Sequence, residues 1–253
     1  MISLENAVVV VTGGAQGIGR ATAARLTRLG ARVWIGDVDE EGVVRTADEL
    51  GVRGARLDVT DAACFGAFLD RVQTDGPIDM LVNNAGVMQT GAFLDLPISG
   101  HADEIGVNLL GVVHGMRLVL PGMVERRQGH VVNLASMAAK ITTPQMATYC
   151  ATKFAVGALS RAVRAEIRGS GVTVSTVLPA AVRTDMTKRF TLGSVIPTSE
   201  ADDVARAIAT TVRRPRPEVT IPGWLGGMDL VEAAVTESIL DRVKSIVVTR
   251  AMR

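Results

Sequence analysis

Residues 8–26 read VVVVTGGAQGIGRATAARL: a β-branched run, a glycine-rich turn with Gly13, Gly17 and Gly19 spaced GxxxGxG, then a stretch of helical period from Ile18. Glycines in that place allow a tight turn and close approach of a pyrophosphate. A helix N-terminus behind them supplies unpaired N–H donors and a partial positive charge. An ordinary glycine-rich turn would carry the same letters. The strand before it, the helix after it and an acid closing the next strand select a dinucleotide cradle. That acid is Asp37, in RVWIGDVD at 32–39. A carboxylate there accepts both adenosine ribose hydroxyls and repels a 2′-phosphate, so NAD(H) is expected over NADP(H). Gln16, before Gly17, is neutral and Val38 follows Asp37, which leaves Arg20 as the nearest cation.

Outward from the cradle, apolar runs at 7–12, 32–37, 54–58, 80–83, 130–135, 172–178 and 218–221 alternate with amphipathic segments. The runs lack inside-out alternation, as strands of a parallel sheet covered on both faces do. Gly30 and Gly51 stand where helices at 18–29 and 40–50 would end in left-handed caps. A β/α barrel fits the same rhythm, but the glycine pattern after the first strand favours a doubly wound α/β fold with a mostly parallel seven-stranded sheet. No linker rich in Pro, Gly or Ser interrupts residues 1–253 and no repeat divides them, so one domain is expected.

With 47% hydrophobic and 21% charged residues, the composition is that of a globular protein. Lys plus Arg number 27 against 26 Asp plus Glu, with no block of like charge, which argues against nucleic acid as a partner. Cys64 and Cys150 have neither metal-ligand spacing nor a disulfide pattern, so no metal is expected and a reducing cytoplasm fits. No secretory signal is read at the N-terminus. Residues 105–124 are apolar but broken by Asn108, His114, Arg117 and Pro121, which fits burial in protein better than a membrane span. A mean hydropathy of +0.28 leaves peripheral membrane contact as a minor alternative. The three histidines, His101, His114 and His130, are scattered without metal or triad spacing, and surface or capping roles are expected.

Five spaced motifs, TGGAQGIG at 12–19, LDVT at 57–60, NNAG at 83–86, Asn108 with Ser136, and YCATK at 149–153, resemble those of the short-chain dehydrogenase/reductase family. The likeness runs from Val8 to about Thr184. It implies a Rossmann-type fold, a nicotinamide dinucleotide and a catalytic tetrad of Asn108, Ser136, Tyr149 and Lys153. It further implies cofactor contacts from Gly13, Gln16, Gly17, Ile18, Gly19, Asp37, Asp58, Val59, Asn84, Ala85, Gly86, Tyr149, Lys153, Pro179, Val182 and Thr184. One departure is Ala180, where the family carries Gly after Pro179; its methyl group is expected to tighten the backbone near the nicotinamide.

Hydride exchange with an alcohol carbon needs a group that handles the hydroxyl proton. An unperturbed phenol has a pKa of about 10, too high for the task. Lys153 sits at i+4 from Tyr149, and a nearby ammonium is expected to lower that pKa. Tyr149 is the only tyrosine in the chain, which makes its pairing with a lysine less incidental. Ser136 is expected to hold the substrate oxygen. The resemblance assigns Asn108 to a water-bridged proton relay to Lys153, with a satisfied buried asparagine as the alternative, and gives Lys153 a bond to the nicotinamide ribose. Cys150 reads as a packing residue. The rival to an oxidoreductase is a catalytically silent dinucleotide-binding regulator of the same fold.

A lid is expected at 185–199, carrying Met186, Phe190, Leu192, Val195 and Ile196. With Met88, Ala138, Ile141 and Met146 it implies an apolar pocket for a secondary alcohol or ketone on a steroid, retinoid, terpenoid or fatty-acyl skeleton. Residues 229–253 read as an amphipathic helix with stripe positions Val231, Val235, Ile239 and Val243. The family resemblance implies a homodimer or homotetramer joined through the helices that carry Asn108 and Tyr149.

Overall fold

The computed structural model describes residues 2–184, 186 and 198–227. Among them, seven strands form one sheet: β1 (Val8–Thr12), β2 (Arg32–Asp37), β3 (Arg53–Arg56), β4 (Ile78–Asn83), β5 (Gly129–Leu134), β6 (Val172–Pro179) and, last in the chain, β9 (Glu218–Ile221). Their order across the sheet is β3-β2-β1-β4-β5-β6-β9, and every pairing is parallel. Seven helices accompany them among the described residues: α1 (Gly17–Arg28), α2 (Glu40–Leu50), α3 (Ala62–Val72), α4 (Ile98–Ile105), α5 (Gly111–Glu125), α6 (Ala147–Glu166) and α7 (Ala201–Arg213). Two short strands, β7 (Ala181–Val182) and β8 (Thr198–Ser199), pair with each other in a separate parallel sheet.

The apolar strands are explained by two cores, one on each face. Val9 and Val11 of β1 join Leu26 of α1, Val43 of α2 and Ile208 of α7. Val8 and Val10 join Phe65 of α3, Met116 of α5 and Val156 of α6. Successive side chains of one strand thus enter opposite cores, so no position calls for a polar residue. Helix ends follow local chemistry. Asp39 accepts from Gly42 N before α2, Asp61 accepts from Ala63 N and Cys64 N before α3, and Gly51 closes α2 with φ +64°.

Two details, in the third strand and at His130, differ from the sequence reading, and the helix between them adds a π turn to it. The third strand stops at Arg56, because the Asp58 carboxylate accepts from Thr60 N at 3.0 Å and Thr60 Oγ1 at 2.6 Å and turns the chain. The helix from Ile98 to Glu125 is continuous through a π turn at Gly106–Leu110 that contains Asn108. By length and composition it could cross a membrane, yet here it lies over the sheet against β4 and β5. His130 is not a surface residue. It is buried in β5, its Nδ1 2.6 Å from Thr173 Oγ1 and its Nε2 2.9 Å from Thr211 Oγ1. The lid interior and the C-terminal helix expected at 229–253 lie outside the described residues. The expected lid's far end is anchored by the β7·β8 pair.

Candidate active site

Strand order reverses between β1 and β4, and ligands of open α/β sheets bind at the carboxyl ends flanking such a switch. Two chain segments are sewn together there. The backbone N–H groups of Asn84 and Ala85 donate to Thr12 Oγ1, each at 3.0 Å. Asn84 Nδ2 donates to the carbonyls of Thr12 at 2.8 Å and Gly13 at 3.0 Å. Gly13 has φ +65°, and a Cβ on it would lie 2.8 Å from Ala85 Cα. A Cβ on Gly19 would lie 2.0 Å from the Gly13 carbonyl oxygen. The glycine loop is therefore pressed against both α1 and the 84–86 segment.

The cradle fits a dinucleotide. The first turn of α1 has no acidic side chain and Gln16 at its N-cap makes no side-chain capping bond, an end suited to an anionic phosphate. Ile18 follows, half-buried. Asp37, at the end of β2, accepts from Ala15 N at 3.0 Å and from Asp39 N at 3.2 Å. Arg20, the one nearby cation noted in the sequence, pairs with Glu49 of α2 at 3.0 Å. Asp58 is held ionised below its ordinary pKa, chiefly by the hydroxyl and backbone bonds from Thr60, and the adjacent Val59 is buried, its carbonyl 3.0 Å from His114 Nδ1.

At the opposite end of the loop, Thr184 stands 3.5 Å from where a Gly17 Cβ would be. Val182 is buried in β7, and Ala180 N donates to Ile221 O at 2.8 Å. Among the described residues, those with positive φ other than glycine are Asn6, Arg127 and Gln145, so the Ala180 methyl sits on a backbone that carries no left-handed strain.

Ser136, Tyr149, Lys153 and Asn108 meet beside this cleft. The Ser136 hydroxyl acts on the Tyr149 phenol and favours its ionised form, and its Oγ donates to the Pro179 carbonyl at 3.5 Å. One turn along α6, Lys153 is buried; its Nζ donates to Leu134 O at 3.1 Å and lies 5.5 Å from the centre of the Tyr149 ring. Both Lys153 Nζ and Asn108 Oδ1 border Gly86, at 3.6 and 3.2 Å from the position of its missing Cβ. Asn108 is fully buried. Its Oδ1 accepts from Val87 N at 2.8 Å, while its Nδ2 donates to Val87 O at 2.9 Å and Thr152 Oγ1 at 3.2 Å. The amide is thus hydrogen-bonded through both its oxygen and its nitrogen, and it clamps the segment after NNAG.

The electrostatics reverse one expectation. Burial pushes the Tyr149 phenol up to about 12; the Ser136 hydrogen bond opposes this, and Cys150 and Glu104 add to it. Burial likewise pushes Lys153 down to about 8, with Glu104 opposing. Desolvation outweighs the lowering expected from the i+4 ammonium, which lies over the face of the ring. Cys150 is buried and packs, as read.

Sequence reasoning passed over Glu104. It is 1% exposed, and its Oε1 accepts from Gln89 N at 2.8 Å. The signal was present: Gly100, Glu104, Asn108, Val112 and Met116 form one buried stripe along the helix, and a charge on it is out of place. Of the apolar residues expected around a substrate, Met88, Ala138, Ile141 and Met146 are half-buried and Met186 is exposed; Phe190, Leu192, Val195 and Ile196 lie outside the described residues. Among the described residues no group of three or more His, Cys, Asp or Glu could hold a metal ion.

A family model described as short chain dehydrogenase matches residues 7–193. A probable oxidoreductase, EphD, of Mycobacterium tuberculosis is 37% identical over 240 residues, covering 83% of this chain and 40% of its own length. The chain thus spans about two fifths of that relative. Among solved structures, a short chain dehydrogenase/reductase from Burkholderia phymatum in complex with NAD superposes with a TM-score of 0.83 at 28% identity, covering 95% of this chain and 96% of that one. An actinorhodin polyketide ketoreductase, a point variant solved with NADPH, gives a TM-score of 0.80 at 30% identity over 89% of this chain and 99% of its own.

Proposed function

The chain belongs to the short-chain dehydrogenase family, and from that premise we propose that it is an NAD(H)-dependent oxidoreductase that interconverts a secondary alcohol and its ketone on an apolar skeleton. The observation that carries this reading is the meeting of Ser136, Tyr149 and Lys153 at the sheet's switch point, across from the glycine cradle.

When bound, the nicotinamide supplies the hydride acceptor for oxidation or the hydride donor for reduction. The protein's part is to hold and move the proton. Ser136 orients the substrate oxygen. In oxidation the Tyr149 oxygen takes the hydroxyl proton as the C–H bond gives up its hydride and the carbonyl forms; in reduction the phenol returns that proton to the nascent alkoxide. Lys153 stabilises the phenolate from below the ring and holds the ribose. Asn108 keeps Val87 and the adjoining Gly86 in place beside it. The cofactor contacts assigned from the motifs, from Gly13 through Thr184, complete the site.

Preference for NAD(H) is supported by the Asp37 carboxylate at the ribose end and by the Arg20–Glu49 pair, which draws the nearest cation toward α2. The apolar substrate is supported by Met88, Ile141 and Met146 around the cleft. Exposed Ile105, Leu110 and Phe154 on the helices that carry Asn108 and Tyr149 support a homodimer or homotetramer. The whole would work as one domain in a reducing cytoplasm.

The test is hydride transfer to NAD and NADP with a panel of secondary alcohols, and the reverse reaction with ketones, read as nicotinamide absorbance. Turnover of apolar substrates with NAD supports the reading. Tight NADH binding without turnover of any member would instead favour the silent regulator.

A further inference from the structure

Glu104 is a buried carboxyl that the proposed reaction does not use. Its place has a geometric logic. Asn108 clamps Val87 through both backbone groups, and Glu104, one turn earlier, receives the N–H of Gln89, two residues later. One helical turn rises about 5.4 Å and two extended residues advance about 6.6 Å, so the two side chains meet successive backbone groups of an extended segment. The pair fastens residues 87–89 to the helix as a neighbouring strand would.

The same carboxyl stands on α4, which packs against α6, the helix of the proposed acid/base pair. On α4 it interacts with His101, whose Nδ1 lies 2.7 Å from Thr148 Oγ1, the residue before Tyr149, while Asp103 of the same helix is exposed. The packed helix α6 carries Lys153 and Tyr149, the two groups on which its charge acts, with the buried thiol of Cys150 beside Tyr149 in the chain. The 84–97 loop contributes a single carboxylate, Asp95, which is exposed. Glu104 is therefore the anion of this enclosed cluster.

We propose that Glu104 is a positioning residue for hydride transfer: it fastens residues 87–89 beside the cleft, and its negative charge sets the pH at which Lys153 and Tyr149 change protonation. The proposal rests on the dehydrogenase reading. A buried anion favours the ammonium of Lys153 and disfavours the phenolate of Tyr149, so it moves both ionisations toward higher pH. Its own carboxyl is raised by burial, while the Gln89 N–H, His101 and Lys153 pull it back.

Glu104→Gln keeps an acceptor for Gln89 N and removes the charge. Because Tyr149 is the sole tyrosine, phenolate absorbance reports on it alone, without coenzyme. Read within milliseconds of an alkaline pH jump, before unfolding, its midpoint should fall by about one pH unit in Glu104→Gln. Both limbs of the kcat/KM profile for alcohol oxidation should move to lower pH by a similar amount. A purely structural role would lower the rate with midpoint and limbs in place, and that result overturns the proposal. If Glu104→Gln does not fold, Glu104→Met, of similar volume, must give the same shift; failure of both to fold makes the residue structural only and also overturns it. An unshifted midpoint with normal parent turnover sinks the Glu104 proposal alone. A shifted midpoint with no parent turnover sinks the dehydrogenase reading alone.

Discussion

The Asp37 carboxylate accepts the Ala15 backbone N–H at 3.0 Å, tying the end of β2 to the glycine loop. The group proposed to read the ribose is thus held in register with the loop proposed to hold the phosphates, and its negative charge stands where a 2′-phosphate would come.

Asp37→Ala should weaken NAD binding roughly tenfold to a hundredfold, the scale of losing hydrogen bonds to a charged acceptor. NADP, which gains relief from repulsion, should lose much less. Dissociation constants for both nucleotides, measured by protein fluorescence, check this. Equal losses for the two would remove Asp37 from cofactor selection.

Tyr149→Phe should lower kcat by about 10² to 10⁴ while leaving NADH affinity within a few-fold of the parent. Steady-state rates and a fluorescence titration of NADH separate the two quantities. Retained turnover would mean that another group carries the proton.

His130 links pH to stability. Burial depresses its pKa from 6.5 to about 4, so the folded protein holds it neutral while the unfolded chain takes up a proton below about pH 6.5. Its contribution is fully present above pH 6.5 and is lost as pH falls toward 4, on the order of 3 kcal/mol in all. Denaturant unfolding between pH 7 and pH 4 should show this slope. His130→Gln should be less stable at pH 7, since Thr173 and Thr211 lose their ring partner, yet flatter with pH.

Two glycine substitutions should act in opposite directions. In Gly19→Ala the new methyl meets the Gly13 carbonyl at 2.0 Å, so the loop must move, at about 1–3 kcal/mol of stability and with loss of nucleotide binding. At Gly66, in the middle of α3, an added methyl would have nothing within 4 Å. Gly66→Ala should therefore stabilise by about 0.5–1 kcal/mol through helix propensity. Melting temperatures and an NADH titration decide both.

Much of the fold was legible because its signals are local. All seven strands of the main sheet overlap the apolar runs of the sequence, and Gly30 and Gly51 have the positive φ angles expected of helix-ending residues. The candidate site was legible where spacing alone carries it: Tyr149 and Lys153 share a helix face at i+4, and Gly13, Gly17 and Gly19 sit between a strand and a helix. Asn108 was found by its motif, but not its clamp on Val87, which joins groups 21 residues apart. His130 was misread because a histidine in an apolar run does not announce the two threonines, from β6 and α7, that satisfy its ring.

By itself the sequence determined the order of strands and helices, the glycine cradle and the phenol–ammonium pair, since each depends on the fixed rise and period of a regular backbone. Only the tertiary structure decided that Glu104 enters the enclosed cluster and that the Tyr149 phenol is pushed up rather than down. A pKa is set by how much water is removed and which charges are gathered around a group, and those come from distant parts of the chain that meet only on folding.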